Sequence, residues 1–195
     1  MIWWLKIRAA HTLAIGTAAT WLLGLLIGTA HLPLPALTGQ AGDFLVGHLI
    51  TLTPAVLLMH GAARADHPTE NVAVRTPRHL DVALALTLAT TVLTAALLLH
   101  LLHPTDMAVV LSRNIAGYIG LALLLHPWVG HRAAGALIAV APLGCAAAGW
   151  GPGGRPERWA WVLHPADSRT ALALALATLL LGTTTALTRT PSTAP

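Results

Sequence analysis

Charge is scarce in this chain. Lys and Arg number 11 and Asp and Glu 7 in 195 residues, so 9% is charged while 55% is hydrophobic. A soluble domain of this size carries far more charge. The single cysteine, Cys145, sits in an apolar run. This excludes an intrachain disulfide and a cysteine-built metal cluster, and leaves a small buried hydrophobe. There is no HExxH, no Cys/His ligand spacing and no pair of carboxylates within an apolar run. Gly151-Pro152-Gly153-Gly154 lacks the following Lys and helix that a phosphate-cradling loop needs, and reads as a turn. No histidine is paired by spacing to Ser112, which argues against a hydrolase. The first apolar run is too long for a cleavable leader, and further runs follow it.

What the chain does have is apolar runs of membrane length. They predict an all-α polytopic membrane bundle, one domain over residues 1–195. The spans fall at about 9–30, 44–63, 81–102, 107–127, 133–149 and 169–187. Six spans put both termini on one side. Lys6, Arg8, Arg64, Arg75, Arg78, Arg132 and Arg189 then share that side, against Arg113, Arg155, Arg158 and Arg169 on the other. This bias, with no Lys or Arg between His31 and Asp43, predicts cytoplasmic termini in the plasma membrane. The net charge of +4 thus follows topology and is not read as nucleic-acid binding.

Several local features refine the picture. Trp3 and Trp4 with Lys6 and Arg8 suit a short interfacial helix or the flank of the first span. Gly16, Thr20, Gly24 and Gly28 recur every four residues, a small-residue stripe for close helix packing, and Gly117 and Gly120 offer the same in the fourth span. Pro54 predicts a kink. Pro127 is expected to end the fourth span, with Trp128–Arg132 as a short loop, and Pro142 to bend the fifth. Trp150, Trp159 and Trp161 read as an aromatic belt, and Asp167 or Ser168 as the N-cap of the last span. Asp81 reads as a helix N-terminal charge.

Arg113 and Asn114 are the polar residues set into an apolar helix. From Asn114 to Pro127 there are 14 residues, roughly 21 Å of helix at 1.5 Å each. A bilayer core of roughly 30 Å therefore pulls the start of the span back to Met107, with Arg113 inside it. Arg113 either snorkels to headgroups or fixes packing and lines a path, with Asp106 and Asp43 on its side. The 11 histidines sit mostly at span ends. His48, His100 and His103 gather towards one side and His11, His60 and His126 towards the other, so a histidine-ligated haem or metal protein is an alternative. No cofactor or metal is assigned.

Three stretches carry a resemblance: Glu70-Asn-Val-Ala-Val-Arg75-Thr-Pro-Arg78, Arg113-Asn114-Ile-Ala-Gly117-Tyr-Ile-Gly120 and Trp159-Ala-Trp161-Val-Leu-His-Pro165. With the six-span layout they resemble the small membrane subunits of ABC-2 type transporters. The resemblance implies a permease without a catalytic site of its own, paired with a second permease subunit or with itself over separate ATP-binding subunits. It implies that residues 1–8 and the loop 64–79, with Arg64, Glu70, Arg75 and Arg78, meet the ATPase, and that 150–165 is re-entrant. A non-transporting assembly or immunity factor is the remaining alternative.

Overall fold

A computed structural model describes residues 2–32, 44–64 and 77–189. The chain is helical almost throughout. A short helix α1 (Ile2–Ile7) is set off from α2 (Ala10–Ile27) by Ala9, which holds a left-handed φ of 48°. Two-residue strands β1 (His31–Leu32) and β2 (Phe44–Leu45) pair antiparallel and return the chain into α3 (Val46–Ile50) and α4 (Thr53–Ala63). Then come α5 (Pro77–Leu102), α6 (Asp106–Ala148), two 3-10 turns (Pro152–Gly154 and Trp161–Leu163) and α7 (Arg169–Thr188). Five segments are long and apolar enough to cross a membrane: Ala10–Ile27, Val46–Ala63, Arg78–Leu102, Asp106–Ala148 and Arg169–Thr188.

α6 has 43 residues, or about 65 Å if straight. It is not straight. Gly130 has φ 78° and ψ 166°, and the chain reverses there. That backbone region is essentially open to glycine alone. The return is visible at the far end of α6. A side chain on Gly149 would meet Ala160 and Leu163, and the next two carbonyls along, His164 and Pro165, accept from Arg113 near the start of α6. The reversal corrects the expected stop at Pro127. A proline removes one N–H, which the helix tolerates here for three more residues, whereas the glycine releases the chain. Pro142 also lies within the helix, and the non-helical residue of α6 is Gly130. By contrast the expected kink near Pro54 falls just ahead of it, between α3 and α4, and puts Pro54 in the first turn of α4, where a missing N–H costs nothing.

The first half of α6 is the core of the bundle. Residues 110–120 are all buried. α7 lies against it with backbone nearly touching backbone. A Cβ on Gly120 would strike the backbone of Thr178 and Leu179, and one on Gly182 would strike the Gly120 carbonyl. Gly117 faces Trp161 and Ala175 in the same seam. The N-terminal stripe packs too, Gly16 against Leu57, Gly24 against Leu111 and Gly28 near Met107. The outward faces are leucine-rich, as at Leu22, Leu26, Leu101, Leu102 and Leu180. Ser168 caps α7, its Oγ accepting from the Ala171 N–H at 3.3 Å.

Gly120→Val and Gly182→Val should each cost about 1–3 kcal/mol through overpacking. Gly144→Ala, where an added Cβ meets nothing within 4 Å, serves as the control. Thermal unfolding in detergent reads this out. Valine variants that melt with wild type would remove the α6–α7 seam from the account.

Candidate functional site

Polar side chains collect at the two ends of the bundle. One end carries α1, the start of α2, the end of α4, the start of α5, the reversal at Gly130 and the end of α7. Arg8 is its hub. Its Nε and Nη2 donate to the two carboxylate oxygens of Asp81, each at 2.7 Å, and its Nη1 donates to the Ala62 carbonyl at 3.0 Å. A bidentate guanidinium–carboxylate pair is the strong form of this bond. Arg8 is 7% exposed, and its backbone lies on Gly61, where a Cβ would meet the Arg8 carbonyl oxygen. So one residue joins the α1–α2 junction to both flanks of the connection between α4 and α5. Asp81 thus has a specific partner and is not merely a helix-end charge. α5 begins at Pro77, which places Asp81 a full turn inside it.

Further contacts tie this end together. Arg78 Nη1 donates to the carbonyls of Leu187 and Arg189, closing the end of α7. The Arg189 guanidinium lies 3.8 Å from the centre of the Trp128 ring, a cation–π contact next to the Gly130 reversal. His126 and His131 stack with centroids 5.0 Å apart across that same reversal. Arg64 and Lys6 are exposed. Glu70 and Arg75 lie outside the described residues.

The other end is built on Arg113, which is 1% exposed. Its Nη1 and Nη2 donate to the carbonyls of Pro165 and His164 at 2.9 and 2.7 Å, and its Nε to Asn114 Oδ1 at 3.3 Å. Asn114 Nδ2 donates to the Val162 carbonyl at 3.3 Å. The pair thus pins the segment between α6 and α7 onto the bundle. Arg113 does not reach outward, and its acceptors are these carbonyls and Asn114 rather than Asp106; Asp43 lies outside the described residues. The segment is locked locally as well: His164 bonds the Glu157 carbonyl through Nε2 and the Ser168 hydroxyl through Nδ1, at 3.1 and 3.2 Å. Trp150 is buried and Trp161 sits against Gly117, so of the three tryptophans expected as a belt only Trp159 is exposed. Nearby, Trp21 Nε1 donates to Ser112 Oγ at 2.8 Å and Tyr118 Oη to the His48 carbonyl at 3.4 Å.

The hydroxyl set against an imidazole, Ser168 on His164, also accepts from the Ala171 N–H as the cap of α7, and among the described residues no three His, Cys, Asp or Glu side chains are grouped to hold a metal ion. What the arrangement can do is mechanical and electrostatic. One end joins helices through a part-buried ion pair beside a basic rim, and the other holds a folded-back segment through its carbonyls. Comparison with family models, curated proteins and solved structures finds no match to this chain.

Two substitutions probe these ends. A double-mutant cycle of Arg8→Gln and Asp81→Asn should return a coupling of about 0.5–3 kcal/mol; strict additivity would mean the pair is an accident of packing. Arg113→Met leaves the part-buried carbonyls of His164 and Pro165 without their donor, at about 1–3 kcal/mol. It should speed tryptic cleavage after Arg158 several-fold, and an unchanged cleavage rate would show that Arg113 does not hold the segment.

Proposed function

We propose that the chain is a multi-pass protein of the plasma membrane, crossing six times with cytoplasmic termini, and serves as the permease subunit of an ABC-type exporter driven by a separate ATPase. The reversal at Gly130 supports the sixth crossing. Residues 106–129 span about 36 Å and residues 131–148 about 27 Å as helix, each near a bilayer core. The orientation rests on the described basic residues, Lys6, Arg8, Arg64, Arg78, Arg132 and Arg189 at the α1 end against Arg113, Arg155, Arg158 and Arg169 at the other.

The observation that carries the permease reading is the Arg8 junction. A soluble subunit pressing on α1 or on the connection 65–76 would act on α2, α4 and α5 together, because Arg8 joins all three. The close α6–α7 seam makes the rest of the bundle a second stiff body. Coupling of this kind needs a firm attachment at the driven end and no catalytic group in the permease. A second permease copy or subunit would complete the path.

Co-purification in mild detergent, with mass spectrometry and a visible absorption scan, tests the reading. A stoichiometric ATP-binding subunit is expected with the wild type. It should be lost from Lys6→Glu/Arg75→Glu, which leaves Arg8, Asp81 and Arg78 intact. A protein that purifies without an ATPase, or with a Soret band, would overturn the proposal.

A further inference from the structure

A groove of about 450 Å³ runs between α4 and the second half of α6 at the basic end of the bundle. Its floor is apolar and recessed: Met59 lies opposite Gly135, and Ala139 follows one turn on. Its mouth carries His60, Arg64 and Arg132, all exposed. Among the described residues no acidic side chain lines it. His60, in the last turn of α4, and Arg64, its C-cap in helical backbone, are one turn apart and so share a face, while Arg132 comes from just past the Gly130 reversal. Elsewhere the bundle presents leucine ridges outward. Here small residues leave a channel whose open end is cationic.

We infer that this groove holds an anionic phospholipid, its phosphate between Arg64 and Arg132 and an acyl chain along Gly135 and Ala139. The inference rests on the membrane orientation proposed above and not on the ATPase partner. Two guanidinium groups suit a phosphate because each can donate two parallel N–H bonds to its oxygens. A basic recess between membrane helices on the cytoplasmic side is the expected setting for an anionic headgroup. A lipid has its charge at one end and its apolar length at the other, and the groove is ordered in the same way. A purely apolar peptide would leave the two arginines facing nothing, and a free phosphate would leave the floor bare.

The probe is an equimolar mixture of phosphatidylglycerol and phosphatidylcholine, with retention on the purified full chain read by native mass spectrometry. Wild type should retain phosphatidylglycerol preferentially. Arg64→Gln/Arg132→Gln should weaken that preference by about fivefold per arginine, from roughly 1 kcal/mol per basic residue near an anionic surface, with no change in melting temperature. Ala139→Leu should lower retention of both lipids by filling the floor. A photo-crosslinking residue at Ala136 should form an adduct with the lipid. Equal retention of the two lipids, an unchanged preference in the double variant, or an Ala136 crosslink to residues 65–76 would each overturn the inference. Loss of the ATPase partner with lipid preference intact would sink the permease reading and leave this one standing.

Discussion

A guanidinium sunk in an apolar bundle must find its acceptors inside the protein, and this chain solves that requirement twice. Arg113, 1% exposed, is met by backbone carbonyls of a segment some fifty residues later in the chain. Arg8, 7% exposed, finds acceptors in the Asp81 carboxylate and the Ala62 carbonyl. Leaving either charge without acceptors would cost several kcal/mol, so the surrounding chain is obliged to come to it. The segment between α6 and α7 folds back because of Arg113. The α1–α2 junction sits against α4 and α5 because of Arg8. The two solutions differ in chemistry, and that difference separates the two ends. Carbonyl acceptors do not neutralise the Arg113 charge, whereas Asp81 offsets that of Arg8 beside a rim on which Lys6, Arg64 and Arg132 are exposed.

Between these ends, the bundle relies on small residues. Gly120 and Gly182 bring the α6 and α7 backbones into near contact, and the glycines of α2 accept Leu57 and Leu111 as knobs. Dispersion and close packing are the forces available to helices whose outer faces are leucine. The same use of small residues, at Gly135 and Ala139, leaves the groove beside α4 unfilled. Packing and vacancy thus come from one device applied in two places.

Much of this was legible in the sequence, and the illegible part has a common cause. The six apolar runs fall within a few residues of the long helical segments, the fourth and fifth together making up α6, because a run of that length allows little else. Ser168 as a cap follows from local chemistry. The helix runs three residues past Pro127, the more conspicuous breaker, and leaves helical geometry at Gly130, inside the loop 128–132 expected from the sequence but through a dihedral that its neighbours do not announce. The Arg8–Asp81 pair joins residues 73 apart and the Trp21–Ser112 bond residues 91 apart. Period and spacing carry no information at that range. A signal did exist for the ion pair: opposite charges at the near ends of two apolar runs, Arg8 before the first and Asp81 at the start of the third. Arg113 was visible as an anomaly, but its partners are carbonyls, which every residue has and no sequence pattern marks.

The claim on which the rest turns is that α6 reverses at Gly130 and makes two crossings. Cysteine accessibility measures this directly. In a Cys145→Ser background, Arg155→Cys and Arg132→Cys are each exposed to a membrane-impermeant maleimide on intact cells and again after permeabilisation. The account predicts labelling of Arg155→Cys in intact cells and of Arg132→Cys only after permeabilisation. Labelling of both positions from the same side would contradict it, and with it the six-crossing bundle and the cytoplasmic basic end.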